Sequence, residues 1–275
     1  FPGWMMPVNQ MGNIATLAVQ FGSGKGAQPF KTVKDYENWL ARGNRLPELI
    51  DTAIDNMRQG MKAGVVQPRA LMEKVEPQLD ALIKDKPEET LFWGPIADMP
   101  KDIPQADRER LTAAYRQMIG ERIIPSFRKL RAFIADEYLP ATRSTVGLDK
   151  LPDGQAWYAF NARSATTTDL TPAQIHDIGL KEVARIHGEI RKIMEQVGFK
   201  GSLQDFFQFM RTDPRFTYKS EEELLKHYRG LEAKINEHVP KLFSLVPKAG
   251  FEIRPVEPYR AKSAAGGSYQ GPSED

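Results

Sequence analysis

The stretch from residue 171 to residue 198 constrains the fold most, because it specifies both ends and the apolar face of one long helix. Thr171 caps this helix, Pro172 takes its first position, and Gln174 completes a capping box. Gly198 is a natural stop. The apolar residues between these ends follow a 3-4-3-4 spacing that predicts a core-facing stripe: Val183, Ile186, Ile190, Ile193 and Val197.

The same periodicity covers most of the remaining chain. Residues 46–64 carry one apolar stripe, and a long helix is predicted over residues 104–137, with a kink at Pro125. Ser220 and Glu223 predict a capping box for a helix that runs to Pro240. We therefore predict an all-α fold, mostly helical, with a minor β element near the C-terminus.

Three segments follow from these patterns. Residues 1–31 are rich in Gly, Pro and Met and predict an irregular N-terminal strap. Residues 32–250 form the predicted helical domain. Residues 251–275 predict an edge strand and a Gly/Ser-rich segment: residues 251–256 alternate like a strand, and Pro255 would confine that strand to a sheet edge.

Charge and composition argue against several classes of partner. The 275 residues include 38 basic and 36 acidic side chains, and this balance gives no electrostatic case for nucleic acid or an anionic membrane. No apolar run approaches the roughly 18 residues that span a bilayer. The absence of Cys excludes disulfides and thiolate metal sites. Because the chain begins at Phe1 rather than Met, we expect a start, signal or tag to have been removed.

The four histidines do not form a metal-binding pattern. His176 and His187 lie eleven residues apart on one predicted helix, and His227 and His238 repeat that spacing. Each pair shares a helix face, but its members are about 16 Å apart along the axis. One metal ion cannot bridge that distance, and no H-E-x-x-H motif is present. We interpret these histidines as structural or surface residues.

The region before Thr171 offers one candidate binding residue. Arg163 could bind a carboxylate through two parallel hydrogen bonds, or it could form a surface ion pair. The threonines at 166–168 could line a site, or they could form an extended entry into the capped helix; the second interpretation is favoured.

Four stretches of the chain resemble one known family. They are residues 7–12 (PVNQMG), 31–47 (KTVKDYENWLARGNRLP), 165–183 (ATTTDLTPAQIHDIGLKEV) and 266–275 (GGSYQGPSED). Together they resemble the bacterial domain of unknown function 885 family, in order and through almost the whole chain. Members of that family are large, mostly helical proteins, often exported or lipid-anchored. They are similar to helical zinc peptidases of the gluzincin type.

The resemblance implies where the chemistry of such a protein lies. A zinc helix with an H-E-x-x-x-G-H-H-like sequence is expected beyond Asp275, so no zinc ligand or general base is assigned to this chain. In related peptidases, the strand before that helix holds the substrate backbone. The candidate substrate-binding residues are therefore Gly266, Gly267, Ser268 and Tyr269, together with Arg163. A flexible tail is the alternative interpretation of residues 266–269.

Two hypotheses of function remain. In the first, the chain is the N-terminal portion of a zinc-dependent peptidase in the periplasm or cell envelope, truncated before its zinc helix and inactive alone. Its partners would be the missing C-terminal portion and short peptides, with no nucleic acid and no membrane span. This hypothesis predicts that apolar surface covered by the missing portion is exposed. In the second, the chain is a non-catalytic helical binding or scaffold module, and a cytoplasmic location stays open.

Overall fold

The computed structural model describes residues 1–26, 28–246, 248, 250–256, 261, 266–269 and 271. These residues fold into helices, which confirms the all-α class. The chain divides into two compact units: unit 1 is Phe1–Trp157 with Val256–Asp275, and unit 2 is Tyr158–Pro255. Within the described ranges, no helix is both long enough and apolar enough to cross a membrane.

Unit 1 is organised around a set of helices that pack against one another, with the third and eighth helices in contact and the second against the seventh. The α-helices of this unit are α1 (Ile14–Gly22), α2 (Val33–Asn44), α3 (Leu46–Ala63), α4 (Arg69–Met72), α5 (Val75–Leu82), α6 (Gly94–Ala97), α7 (Gln105–Met118), α8 (Ile124–Phe133), α9 (Leu139–Ala141) and the start of α10 (Gly154–Thr166). Short 3-10 helices occupy Gly3–Met5, Pro87–Glu89, Leu91–Trp93 and Leu148–Lys150.

Helices α7, α8 and α9 form one continuous helical run, joined by two π-helical turns, Ile119–Ile123 and Ile134–Tyr138. In the first turn the N–H of Ile124 donates to the carbonyl of Ile119, five residues back. The chain therefore remains helical through Pro125, which lies two residues beyond this turn. A π turn widens the hydrogen-bond ladder at the place where proline supplies no N–H and its ring crowds the preceding turn.

Local capping explains where the main helices begin. Thr171 forms a complete capping box with Gln174, as the sequence predicts, and Thr32 forms one with Asp35. At Ser220 only half of the predicted box forms. Its hydroxyl accepts the N–H of Glu223, whose carboxylate accepts the N–H of Lys219 instead.

Buried tyrosines tie the core of unit 1 together. The Tyr36 hydroxyl donates to the carbonyl of Pro95 at 2.9 Å, and the Tyr115 hydroxyl donates to the carbonyl of Tyr36 at 3.2 Å. Burial raises the pKa of Tyr36 to about 12 and raises the pKa of Tyr115 further. Both phenols are therefore neutral donors at physiological pH, as their hydrogen bonds require.

The N-terminal strap is held by glutamine side chains from the bundle. The buried Gln67 amide donates to the carbonyls of Met6 and Val8, at 3.3 and 3.2 Å. The Gln78 amide donates to the carbonyl of Gln10 at 3.0 Å. These bonds satisfy carbonyls that no helix or sheet would otherwise pair. Residues 1–31 are thus irregular at their start, as predicted, but they also contain α1.

Unit 2 is helical throughout its regular structure. It contains most of α10, then α11 (Pro172–Gln196), α12 (Leu203–Thr212), a 3-10 turn at Pro214–Phe216, and α13 (Glu221–Leu242). Gly198 ends α11 with a positive φ of 69°, and the N–H of Phe199 closes the turn on the carbonyl of Met194. The stop predicted from Gly198 is confirmed.

The predicted edge strand at residues 251–256 is wrong: these residues form no strand. A strand exists only when a neighbour pairs its N–H and C=O groups. Within the described residues the sole β pairing is an isolated parallel bridge between Pro68 and Arg143, so no neighbouring strand is present to receive residues 251–256.

The contribution of the Gln67 hydrogen bonds that hold the N-terminal strap can be tested with Gln67→Leu. The substitution leaves the carbonyls of Met6 and Val8 without their donor, and we expect the free energy of unfolding to fall by about 1–3 kcal/mol. Urea denaturation measures this loss. The control is Gln117→Leu, since Gln117 is exposed and its amide meets only the carboxylate of Glu121. We expect that control to change stability by less than about 0.5 kcal/mol; equal losses in the two variants would contradict the assignment.

Candidate docking surface

The longest helix of unit 2 presents a narrow apolar seam. α11 has 25 residues and is therefore about 37 Å long. Its capping box and Pro172 fix the start, and Gly198 fixes the end. Between them, the residues that we call the α11 seam recur at alternate steps of three and four: Val183, Ile186, Ile190, Ile193 and Val197. Such spacing keeps side chains on one side of a helix.

Four of the five side chains in the α11 seam are exposed and Ile190 is half-buried, so the predicted place of the seam in the core is wrong for this chain. The exposed fractions are 50% for Val183, 42% for Ile186, 48% for Ile193 and 64% for Val197. The pattern identifies the face that favours burial, but burial also requires a second surface. Within the described residues no element covers these side chains.

A second apolar stripe runs along α13. It consists of Leu224, Tyr228, Leu231 and Ile235, again at steps of four and three. Tyr228, Leu231 and Ile235 are exposed. The first turn of α13 carries three glutamates, 221–223, at the helix end where negative charge is stabilising. The position of these glutamates therefore favours the start of α13.

Unit 2 buries few of its own side chains. Among its described residues only Met194 and Phe206 are buried. Helix α12 packs against α11, and the rings of Phe199, Phe206 and Phe209 lie within about 6 Å of one another. Contiguous exposed apolar side chains are uncommon on monomeric proteins, which makes the surfaces of α11 and α13 the candidate functional site of this chain.

The loop after α12 adds an ordered aromatic cluster that the sequence pattern did not reveal. The Arg215 guanidinium lies over the rings of Phe209 and Phe216, at 5.5 and 5.7 Å. It also donates two hydrogen bonds to the carboxylate of Asp213, at 2.9 and 2.8 Å. This ion pair lowers the pKa of Asp213 to about 2. Asp213 is therefore ionised, and its ion pair with Arg215 persists, over the physiological pH range.

The predicted substrate-binding residues fall in different units. Arg163 is exposed in the last turn of α10, in unit 2, and forms no ion pair with any described residue. Gly266, Gly267, Ser268 and Tyr269 are grouped with unit 1, are exposed and form no strand. The edge on which a peptide would add is therefore not formed here, and substrate binding by these residues stays a prediction.

The threonines at 166–168 lie where α10 ends and the chain turns toward α11. Thr166 is the last residue of α10, so the predicted extended entry is wrong for this residue. The hydroxyl of Thr166 donates to the carbonyl of Ala162 at 2.8 Å and contacts the hydroxyl of Thr168 at 3.0 Å. Thr167 has a positive φ of 55°, which turns the chain between α10 and α11. The threonines thus bond to the local chain.

The histidines lie on helix surfaces rather than in a cluster. His176, His227 and His238 are exposed, and His187 is half-buried. His227 lies between the rings of Tyr218 and Tyr228, at 5.5 and 6.3 Å. In the part of the chain that the structure describes, no group of three or more His, Cys, Asp or Glu side chains could hold a metal ion.

A solved structure resembles this chain in fold, and a family model identifies its family. A comparison with curated proteins gave no match. A solved crystal structure, described as "the putative lipoprotein from Colwellia psychrerythraea", superposes with a TM-score of 0.82 at 22% sequence identity. The match covers 97% of this chain but 46% of that one, so this chain spans less than half the length of its structural relative. The family model "Bacterial protein of unknown function (DUF885)" matches residues 3–275. The chain therefore belongs to the DUF885 family.

Proposed function

We propose that this chain is the helical, N-terminal portion of a larger zinc-dependent peptidase, and that unit 2 joins it to the remainder of the same polypeptide. The exposed α11 seam carries the docking part of this proposal, because it is an apolar surface with the spacing of a helix-packing seam, whereas the zinc-peptidase part rests on the sequence resemblance. The length of the structural relative supports it, since more than half of that chain lies outside the match.

Zinc ligands and the general base would come from the remainder of the polypeptide, because the described residues supply no suitable donor set. The role of this chain is then to shape and support a cleft for short peptides. In that assembly, Arg163 would bind a substrate carboxylate, and Gly266 to Tyr269 would contact the peptide backbone. A periplasmic or envelope location is proposed with it; the lipoprotein description of the structural relative supports that location.

The second candidate is a non-catalytic binding or scaffold module. The α11 seam favours it as well, since a separate helical protein could occupy the same surface. The two candidates differ in what covers the seam and in whether the complete protein has a metal-dependent activity.

The peptidase proposal is tested by comparing two purified samples. One is the chain of residues 1–275, and the other is the protein translated from its entire reading frame. We expect about one zinc per molecule and hydrolysis of fluorogenic short peptides in the second sample alone, because catalysis needs the ligands and base assembled together. Elemental analysis and a chelator-sensitive peptide assay measure this. A zinc-free, inactive protein from the entire reading frame would leave the scaffold module as the better account.

The docking role of the seam is tested with Ile186→Lys in the same two samples. In residues 1–275 the side chain is exposed, so we expect a change in stability below about 0.5 kcal/mol. In the entire protein the lysine would be buried against the remainder, and we expect a loss of about 2–4 kcal/mol. Thermal unfolding measures both.

Ala184→Lys is the matched control, because Ala184 is exposed on α11 and its position, one residue after Val183 and two before Ile186, places it on the other side of the helix from the seam. We expect it to be neutral in both samples. If Ile186→Lys is also neutral in the entire protein, the seam is not covered by the remainder and the docking role is wrong.

A further inference from the structure

Gly179 lies four residues before Val183, where the 3-4 spacing of the α11 seam would place another apolar side chain. Residues 179, 186 and 193 follow one another at steps of seven, two helical turns, so they point in nearly the same direction. Ile186 and Ile193 fill the later two positions. The apolar spacing of the α11 seam therefore reaches residue 179, but this residue has no side chain.

Nothing in the described chain requires glycine at this position. A Cβ atom added to Gly179 would meet no heavy atom within 4 Å. Its φ is not positive, so the backbone needs no glycine either. Within a helix, glycine is less stable than alanine. The residue thus weakens α11 without a compensating contact in this chain.

Gly188 serves as a control, because it is a glycine of α11 that does not face the seam. It lies in the same helix and also has no heavy atom within 4 Å of an added Cβ. Its position, two residues after Ile186, places it outside the seam. The two glycines are therefore alike in the room for an added Cβ, although Gly179 is exposed and Gly188 is half-buried, and they differ in whether they face the seam.

We propose that a helix from the remainder of the polypeptide crosses α11 at Gly179 in close backbone contact. This rests on the proposed docking role of the seam. Packed helices usually lie 8–10 Å apart, and a residue without a side chain lets two backbones approach more closely or admits one large partner side chain. Val183 and Ile186 would flank the crossing on one side.

The occupant is assigned to the same polypeptide because the structural relative has more than half of its length outside the match, which is ample for further helices. A second copy of this chain or an unrelated protein is an alternative outcome of the test.

The test compares Gly179→Ala with Gly188→Ala by thermal unfolding, in residues 1–275 and in the protein from the entire reading frame. In residues 1–275 we expect both variants to raise the melting temperature equally, by about 1–4 °C, because alanine favours the helix and neither Cβ meets an obstacle. In the entire protein we expect Gly188→Ala to raise it still and Gly179→Ala to lower it. Gly179→Leu and Gly188→Leu should enlarge this difference.

The outcomes separate this inference from the proposed function. If Gly179→Ala and Gly188→Ala behave alike in the entire protein while Ile186→Lys destabilises it, the seam is covered but the crossing at Gly179 is wrong. If none of the seam variants changes the entire protein differently from its control, both the docking role and the crossing are wrong. If Gly179→Ala already destabilises residues 1–275, and more so at higher concentration, the occupant is a second copy and the assignment to the remainder is overturned.

Discussion

Unit 1 depends on how its central helical run passes two prolines. Residues 119–125 (IGERIIP) and 134–140 (IADEYLP) repeat one pattern fifteen residues apart, and each contains a π turn followed by proline. Fifteen residues is close to four helical turns, so both π turns face the same way. That face buries Ile119, Ile123, Ile134 and Tyr138. The run from α7 to α9 can therefore serve as one packing surface for α2, α3 and α5, although proline would otherwise end it.

Local sequence was sufficient to predict both ends of α11, whereas α13 continues two residues beyond its predicted end at Pro240. Thr171 with Gln174 and Gly198 determine the ends of α11 through bonds within a few residues, and the structure follows them. Contacts distant in sequence could not be predicted in this way. The Gln67 amide reaches Met6, about sixty residues earlier, and no periodicity in either segment indicates that pairing. The π turns were also missed, since a proline in a helical pattern indicates a kink as readily as a widened turn.

The errors in the predicted site have a common cause. Alternation at residues 251–256 and 3-4 spacing from Val183 to Val197 both describe which side of an element favours a partner. Neither pattern shows whether a second element is present to pack or pair there. The strand therefore fails to form without a neighbour, whereas α11 forms and leaves its seam exposed, because a helix satisfies its backbone hydrogen bonds internally and a strand does not.

This difference bears on how unit 2 would contribute to a larger protein. With Met194 and Phe206 as its only buried side chains among the described residues, unit 2 draws little stability from its own core. Covering the α11 seam would bury apolar area in a unit that buries little of its own. Each Å² of apolar area buried would contribute about 25 cal/mol of stability. Docking to the remainder of the protein would then also stabilise unit 2. A glycine at position 179 fits that arrangement, because a helix that is completed by a partner can tolerate a weak position where the partner approaches.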